Sequence, residues 1–242
     1  METVRIDFQQ SERASLGVEM ELALVERETG ELVSAASDIL SVLGEGHPDG
    51  EHPKAKHELF ECTIEIITDV CTTVAEARAD LSGMLAAVST EAQARGLDPI
   101  CVGTHPFSRW RDQKISPNPR YADLVKEMQW TAWRLQIFGI HYHVGVRSAE
   151  KSIAIANALC AYLPHLLALA ASSPYWEGQD TGLASCRTKV FEALPTAGLP
   201  YRMADWGEFE QFMETLVNAE AIRTIREVWW DIRPHPIFGT VE

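Results

Sequence analysis

Three short stretches place acidic or imidazole side chains two or four residues apart inside otherwise apolar runs: Glu19 and Glu21 in GVEMELAL, Glu61 and Glu65 in FECTIEIIT, and His141 and His143 in GIHYHVGV. On a β-strand successive side chains alternate in direction, so each pair projects from one face. Carboxylate oxygens are hard ligands of the kind magnesium takes, and imidazoles can hold a metal or a phosphate. A single E-x-E carries little weight, because 35 acidic residues in 242 positions give roughly five acidic i, i+2 pairs by chance. A solvated strand face explains the two glutamate pairs about as well as a metal site, and satisfied core histidines explain His141 and His143 equally well.

The elements that must hold these residues can be read from hydrophobic period. Residues 15 to 25 alternate as a strand, with Val18, Met20, Leu22 and Leu24 on the apolar side. Thr29-Gly30 then predicts a turn into a short second strand. A polar loop from Gly44 to Lys56 precedes a β-branched run, Leu59 to Thr68, in which Glu61, Thr63 and Glu65 face away from Phe60, Cys62, Ile64 and Ile66. Thr72 or Thr73 caps a helix to about Arg95, stopped by Gly96, with Val74, Ala77, Leu81, Leu85 and Val88 as its stripe.

Further along, the spacing predicts a short strand at Ile100 to Gly103 and a long Arg-, Pro- and Trp-bearing loop from Ser108 to Ala122. A helix from Tyr121 to Gln136 then leads into a strand at Phe138 to Val146. Ser148 caps an apolar helix to Ser172, followed by the loop Ser172 to Thr188. Asp205 and Glu208 form a capping box for a helix to about Ala221, and Trp229 to Arg233 and Ile237 to Glu242 read as strands. Strands linked by hairpin-like turns favour an α+β fold with an antiparallel or mixed sheet.

Composition narrows the partners. A net charge of −14 without a basic cluster argues against nucleic acid and against an anionic membrane surface. The run from Ile153 to Ala171 approaches the length of a membrane span, but Asn157, Pro164 and His165 interrupt it. It is expected to be a buried helix. Five scattered cysteines without a CxxC pair and an N-terminus without an apolar signal segment predict a cytoplasmic protein. No zinc spacing, phosphate loop or G-x-S-x-G elbow is present.

Five blocks add what spacing cannot: GVEMELALV with ETGEL, HELFECTIEI, GIHYHVGV, SSPYWEGQDTGLASCR and WDIRPHPIFGTVE. In order, they resemble the signature blocks of the glutamate-cysteine ligase type 2 family, bacterial ATP-dependent carboxylate-amine ligases, from Gly17 to Glu242. The resemblance implies a glutamine synthetase-like funnel, an antiparallel or mixed sheet with helices packed on its outer face, in a single catalytic domain over 1–242. It implies ATP and two or three Mg2+ ions as cofactors, with Glu19, Glu21, Glu65, His141 and Glu242 as metal ligands and Glu58, Glu61 and His143 as further candidates for metal or substrate. Arg187 and Arg233 would bind phosphate or a substrate carboxylate.

The implied reaction moves the ATP γ-phosphoryl group to a carboxylate, glutamate's for preference, and lets an amine such as cysteine displace phosphate from the acyl phosphate. Alignment and electrostatic stabilisation suffice for both steps, so no protein nucleophile is needed. A metal-dependent amide or phosphate-ester hydrolase and a non-catalytic ligand-binding protein of the same fold are the alternatives, and a homodimer is the implied assembly. The chain departs from the family in having Met20 between the two glutamates, on the opposite strand face, and in ending at Glu242, where family members continue; its domain is therefore expected to be incomplete at the C-terminus.

Overall fold

The computed structural model of the chain describes residues 5–242. In chain order its elements begin β1 (Leu16–Glu26), α1 (Ala36–Leu43), β2 (Ala55–His57), β3 (Thr63–Ile67), α2 (Val74–Gln93) and β4 (Leu97–Ile100). Then come α3 (Pro119–Met128), α4 (Trp130–Trp133), β5 (Ile140–Gly145), α5 (Ala149–Leu159), α6 (Leu163–Ala170), β6 (Tyr175–Trp176), β7 (Gln179–Asp180) and α7 (Arg187–Phe191). The last are β8 (Ala197–Gly198), α8 (Trp206–Asn218), β9 (Trp229–Trp230), β10 (Pro234–His235) and β11 (Thr240–Val241). The secondary structure is α+β, with strand pairing that is mostly antiparallel. The chain forms two compact units, a larger one of Gly17–His141 with Ala171–Ala193, and a smaller one of the residues up to Leu16, Tyr142–Ala170 and Leu194–Glu242.

In the larger unit β1 pairs antiparallel with β3 and β4, and β2 with β3. The apolar side of β1 and β3 supplies Leu22, Leu24, Ile64 and Ile66, all fully buried against Ala36, Ile39 and Leu40 of α1 and Met84, Val88 and Ala92 of α2. Burial of each such aliphatic side chain contributes about 1.5–3 kcal/mol, which fixes the sheet face that the helices take. The opposite face is divided along β1. Ala23 and Val25 pack with Leu59, Phe60, Cys62 and Phe138, beside Tyr121, Leu124 and Trp133 of the α3–α4 region, and the acidic residues Glu19 and Glu21 occupy the other half.

α2 starts at Thr73, whose hydroxyl accepts from the Glu76 amide at 3.2 Å, while the Glu76 carboxylate reaches back to the Thr72 amide at 2.7 Å. Val74, placed on the buried stripe by the spacing, is 76% exposed in the first turn of α2, and burial on this helix begins at Ala77.

Several boundaries moved. The loop expected over Gly44 to Lys56 contains β2, which adds to the free side of β3. The strand expected at Leu59 begins only at Thr63, because Thr63 N donates to Phe60 O in a tight turn at 2.9 Å. β4 lies three residues before the position expected for it and carries Pro99, while the helix expected from Tyr121 to Gln136 begins at Pro119 and breaks at Gln129, where φ is 47°.

In the smaller unit, Ile153 of α5 packs with Trp206, Phe209 and Met213 of α8 and with Val228 and Trp230. β8 and β9 pair in parallel; β11 pairs antiparallel with β10 and with Val144 and Gly145 of β5. The buried helix expected from Ser148 to Ser172 is corrected. Only Ser152, Ile153 and Ala156 of α5 are buried, a 3-10 turn at Cys160–Tyr162 interrupts it, and α6 has no buried residue. Ala149–Ala170 is long and apolar enough to cross a membrane, but only 11% of its most apolar window is buried, with Leu169 86% exposed. α5 packs one face on α8 and the strands, while from α6 Leu163 reaches that cluster only partly buried.

Candidate functional site

The carboxylates are brought together by strand register. Glu21 stands directly opposite Glu65 across the β1–β3 ladder, and Glu65 is opposite Lys56 of β2 in the next one. Directly opposed residues share a face, so like charges here repel and cost stability unless a cation or a proton intervenes. Glu19, Glu65 and His141 offer ligand atoms all within 4.8 Å of one another, and Glu21, Glu58 and Glu65 form a second such group, so Glu65 belongs to both. His141 Nδ1 lies 3.1 Å from Glu19 Oε2, a contact that fixes the ring's orientation.

Burial decides the electrostatics. With the α3–α4 cluster covering the rest of this face, the Glu65 carboxyl is desolvated and faces Glu58, Glu19 and Glu21, which together push its pKa up to about 8; His141 opposes the shift. Glu58 is pushed up to about 7, first by burial and then by Glu21, against the Leu59 amide, His141 and Arg120. Two carboxyl groups that resist ionisation beside two more acids make a site short of positive charge.

Arg187 approaches the segment just before β5. Its Nε donates to Phe138 O at 2.6 Å, and the neighbouring amide, Gly139 N, donates to Glu21 Oε2 at 2.7 Å. The arginine is delivered by the loop Ser172 to Thr188, pinned by buried Ser173. Ser173 N bonds Ala184 O, Ser173 O accepts from Cys186 N, and Ser173 Oγ accepts from the Arg187 amide at 3.2 Å. β6 and β7 form a hairpin within this loop, tied to the segment after β4 by Thr104 Oγ1, which donates to Tyr175 O at 2.9 Å.

Glu61, a candidate by spacing, is not in either group. The turn before Thr63 removes it from the β3 face, and it caps α1 instead: its carbonyl accepts from the amides of Ala35 and Ala36, and its carboxylate from Ser37 N and Ser37 Oγ. His57 Nε2 lies 2.9 Å from the same hydroxyl. Ala35 has no capping side chain, so Glu61 supplies the charge that the N-terminus of α1 favours.

Glu242, His143 and Arg233 lie in the smaller unit. The Arg233 guanidinium forks onto both oxygens of the Glu242 carboxylate, with Nε 3.1 Å from Oε2, while their backbones exchange two hydrogen bonds at 2.9 Å. His143 Nδ1 is 3.1 Å from Thr240 Oγ1 and its Nε2 is 3.9 Å from Glu242. The arginine expected to meet a phosphate or carboxylate is thus committed to a carboxylate of this chain.

Three residues near the acidic groups escaped sequence reading. Lys56 is placed by register, which an assignment of this segment to a loop concealed. Tyr121 donates to His57 O at 3.0 Å, and its phenol is pushed up in pKa by burial, Glu58 and Glu65. Arg120 acts on Glu58 through its charge. The Asn118-Pro119 helix start signalled where Arg120 and Tyr121 begin a helix, but nothing local showed that this end faces Glu58.

Known proteins bear on this geometry. The family model described as glutamate-cysteine ligase family 2 matches residues 15–242. A protein of Frankia casuarinae named "Putative glutamate--cysteine ligase 2-1" is 58% identical over 239 residues, covering 99% of this chain and 63% of the relative. A similarly named protein of Thermobifida fusca is 53% identical, covering 98% of this chain and 59% of its own length. The chain therefore spans about three-fifths of these relatives. Among solved structures, glutamate-cysteine ligase of Francisella tularensis in complex with AMP superposes with a TM-score of 0.63 at 13% identity, covering 88% of this chain and 49% of that one. A bifunctional glutathione synthetase of Pasteurella multocida gives 0.64 at 16% identity, over 92% of this chain and 31% of that one. These two show likeness of fold. With the family model matching almost its whole length, the chain belongs to glutamate-cysteine ligase family 2.

Proposed function

We propose that the acidic groups on β1 and β3 are the metal-binding part of an ATP-dependent carboxylate-amine ligase that joins the side-chain carboxylate of glutamate to an amine, cysteine being the first candidate. The observation that carries this reading is the double use of Glu65, in one group with Glu19 and His141 and in another with Glu21 and Glu58. Two adjacent oxygen-rich groups that share a carboxylate suit two or more Mg2+ ions, and the two raised carboxyl pKa values fit a site that becomes fully ionised only with cations present. Family membership and the AMP complex of the Francisella tularensis structure support ATP as the phosphoryl donor.

Bound Mg2+ would supply charge neutralisation to the phosphoryl oxygens. Glu19, Glu21, Glu58 and Glu65 would hold the cations, the Glu19 contact sets the His141 ring, and Arg187 would offer a guanidinium to the acidic substrate or to phosphate. The substrate carboxylate oxygen attacks the γ-phosphorus, the bond to the β,γ-bridging oxygen breaks and ADP leaves, giving an acyl phosphate; the amine nitrogen then attacks the acyl carbon and expels phosphate, losing a proton. Glutamine synthetase-like funnel geometry, a single catalytic domain, a homodimer and a cytoplasmic location belong to the same proposal.

Phosphate release from Mg-ATP tests it. Release is expected only with glutamate and an amine together, and with an amide product. Release that needs no amine would replace the ligase by a hydrolase, and ATP binding without release would make the chain a binding protein.

A further inference from the structure

Arg187 and Glu21 carry opposite charges and would attract each other into a direct pair if nothing kept them apart. One peptide group separates them. The carbonyl of Phe138 accepts from Arg187 Nε at 2.6 Å, and the amide of Gly139, on the same peptide plane, donates to Glu21 Oε2 at 2.7 Å. In a trans peptide the C=O and N–H point in opposite directions, so cation and carboxylate are held on opposite edges of a rigid spacer. The Gly139 carbonyl also accepts from Glu21 N at 3.0 Å, which locks this spacer to β1.

The missing side chain of Gly139 matters as much as its backbone. A Cβ there would stand 2.7 Å from an Arg187 terminal nitrogen, 3.6 Å from its Cζ and 3.5 Å from His141 Nε2. Gly139 has no left-handed φ, so alanine fits its backbone and meets only a spatial objection. The Arg187 backbone is anchored by the buried Ser173 hydroxyl and its Nε by Phe138 O, so relief of the contact falls on the far end of the guanidinium, which must leave this position.

We propose that Gly139 is a positioning residue: it clears the space that the Arg187 guanidinium occupies beside Phe138 and Gly139, and its amide fixes the distance between the anion-binding arginine and the metal-binding Glu21. What Arg187 receives, a carboxylate or phosphoryl oxygen, rests on the ligase reading; the steric relation does not.

A double-mutant cycle tests it in the full chain. Gly139→Ala is expected to lower the melting midpoint of the ligand-free protein in the presence of Arg187, and to leave it nearly unchanged in an Arg187→Ala background, because the clashing group is gone. In steady-state kinetics, Gly139→Ala is expected to raise KM for the acidic substrate at least tenfold with a smaller change in kcat, and to change KM less than twofold when added to Arg187→Lys. Equal loss of stability in both backgrounds would overturn the proposal. If Gly139→Ala alone fails to fold, a folded Gly139→Ala/Arg187→Ala protein supports it and an unfolded one overturns it. Absence of amine-dependent phosphate release from the unmutated chain would remove the ligase reading and leave the melting cycle to decide the role of Gly139.

Discussion

At the scale of single residues, the site is a set of repulsions held in place by backbone. Glu21 and Glu65 face each other by register, and burial denies Glu65 the solvent that would screen it. Glu65→Gln keeps the volume and removes one charge, so the metal-free protein is expected to gain about 0.5–1 kcal/mol at neutral to alkaline pH, read as a higher melting midpoint. The same variant is expected to lose Mg-ATP turnover. Unchanged turnover in both Glu65→Gln and Glu21→Gln would remove these carboxylates from the metal set. Arg233 behaves in the opposite way, since it neutralises Glu242, whose side chain is only 7% exposed. Arg233→Ala leaves that carboxylate without its guanidinium and is expected to cost about 3 kcal/mol by chemical denaturation.

Elements with strong local signals were readable, and those defined by packing were not. The alternation of GVEMELAL and the Thr73 and Asp205 caps fixed β1 and the starts of α2 and α8, because the hydrogen bonds concerned span only a few residues. Thr73→Ala is expected to cost about 1 kcal/mol in a urea melt. β2 has no period of its own and exists because β3 offers it an edge, while Glu61 left its expected face through a turn that one backbone bond creates. α6 is the reverse case. Its composition predicts burial, but burial depends on what a helix meets, and α6 meets little. Leu169→Gln is therefore expected to change stability by less than about 0.5 kcal/mol, whereas Ile64→Ala, in the sheet core, is expected to cost about 2–5 kcal/mol.

For the whole molecule, the raised carboxyl groups make stability depend on pH and on cations. A carboxyl whose pKa is higher folded than unfolded holds its proton more tightly in the folded state, so its contribution is complete below the unfolded value and is lost as pH rises through the folded one. For Glu58 and Glu65 that window runs from the ordinary 4.5 to about 7 and about 8. The melting midpoint in a chelator is accordingly expected to fall across this range, and added Mg2+ to restore it most at the alkaline end, with proton release on binding seen as a buffer-dependent calorimetric heat. A flat profile would show that these groups ionise freely. The sequence by itself determined the strand faces, the helix caps and, through its five blocks, the family, since each is written in residue type and local spacing. Only the tertiary structure decided which acids meet. Glu58 joins Glu21 and Glu65, Glu61 leaves for α1, and Arg187 reaches the segment before β5 at Gly139. Those pairings depend on register, a turn and an open space between distant segments, none of which a local pattern encodes.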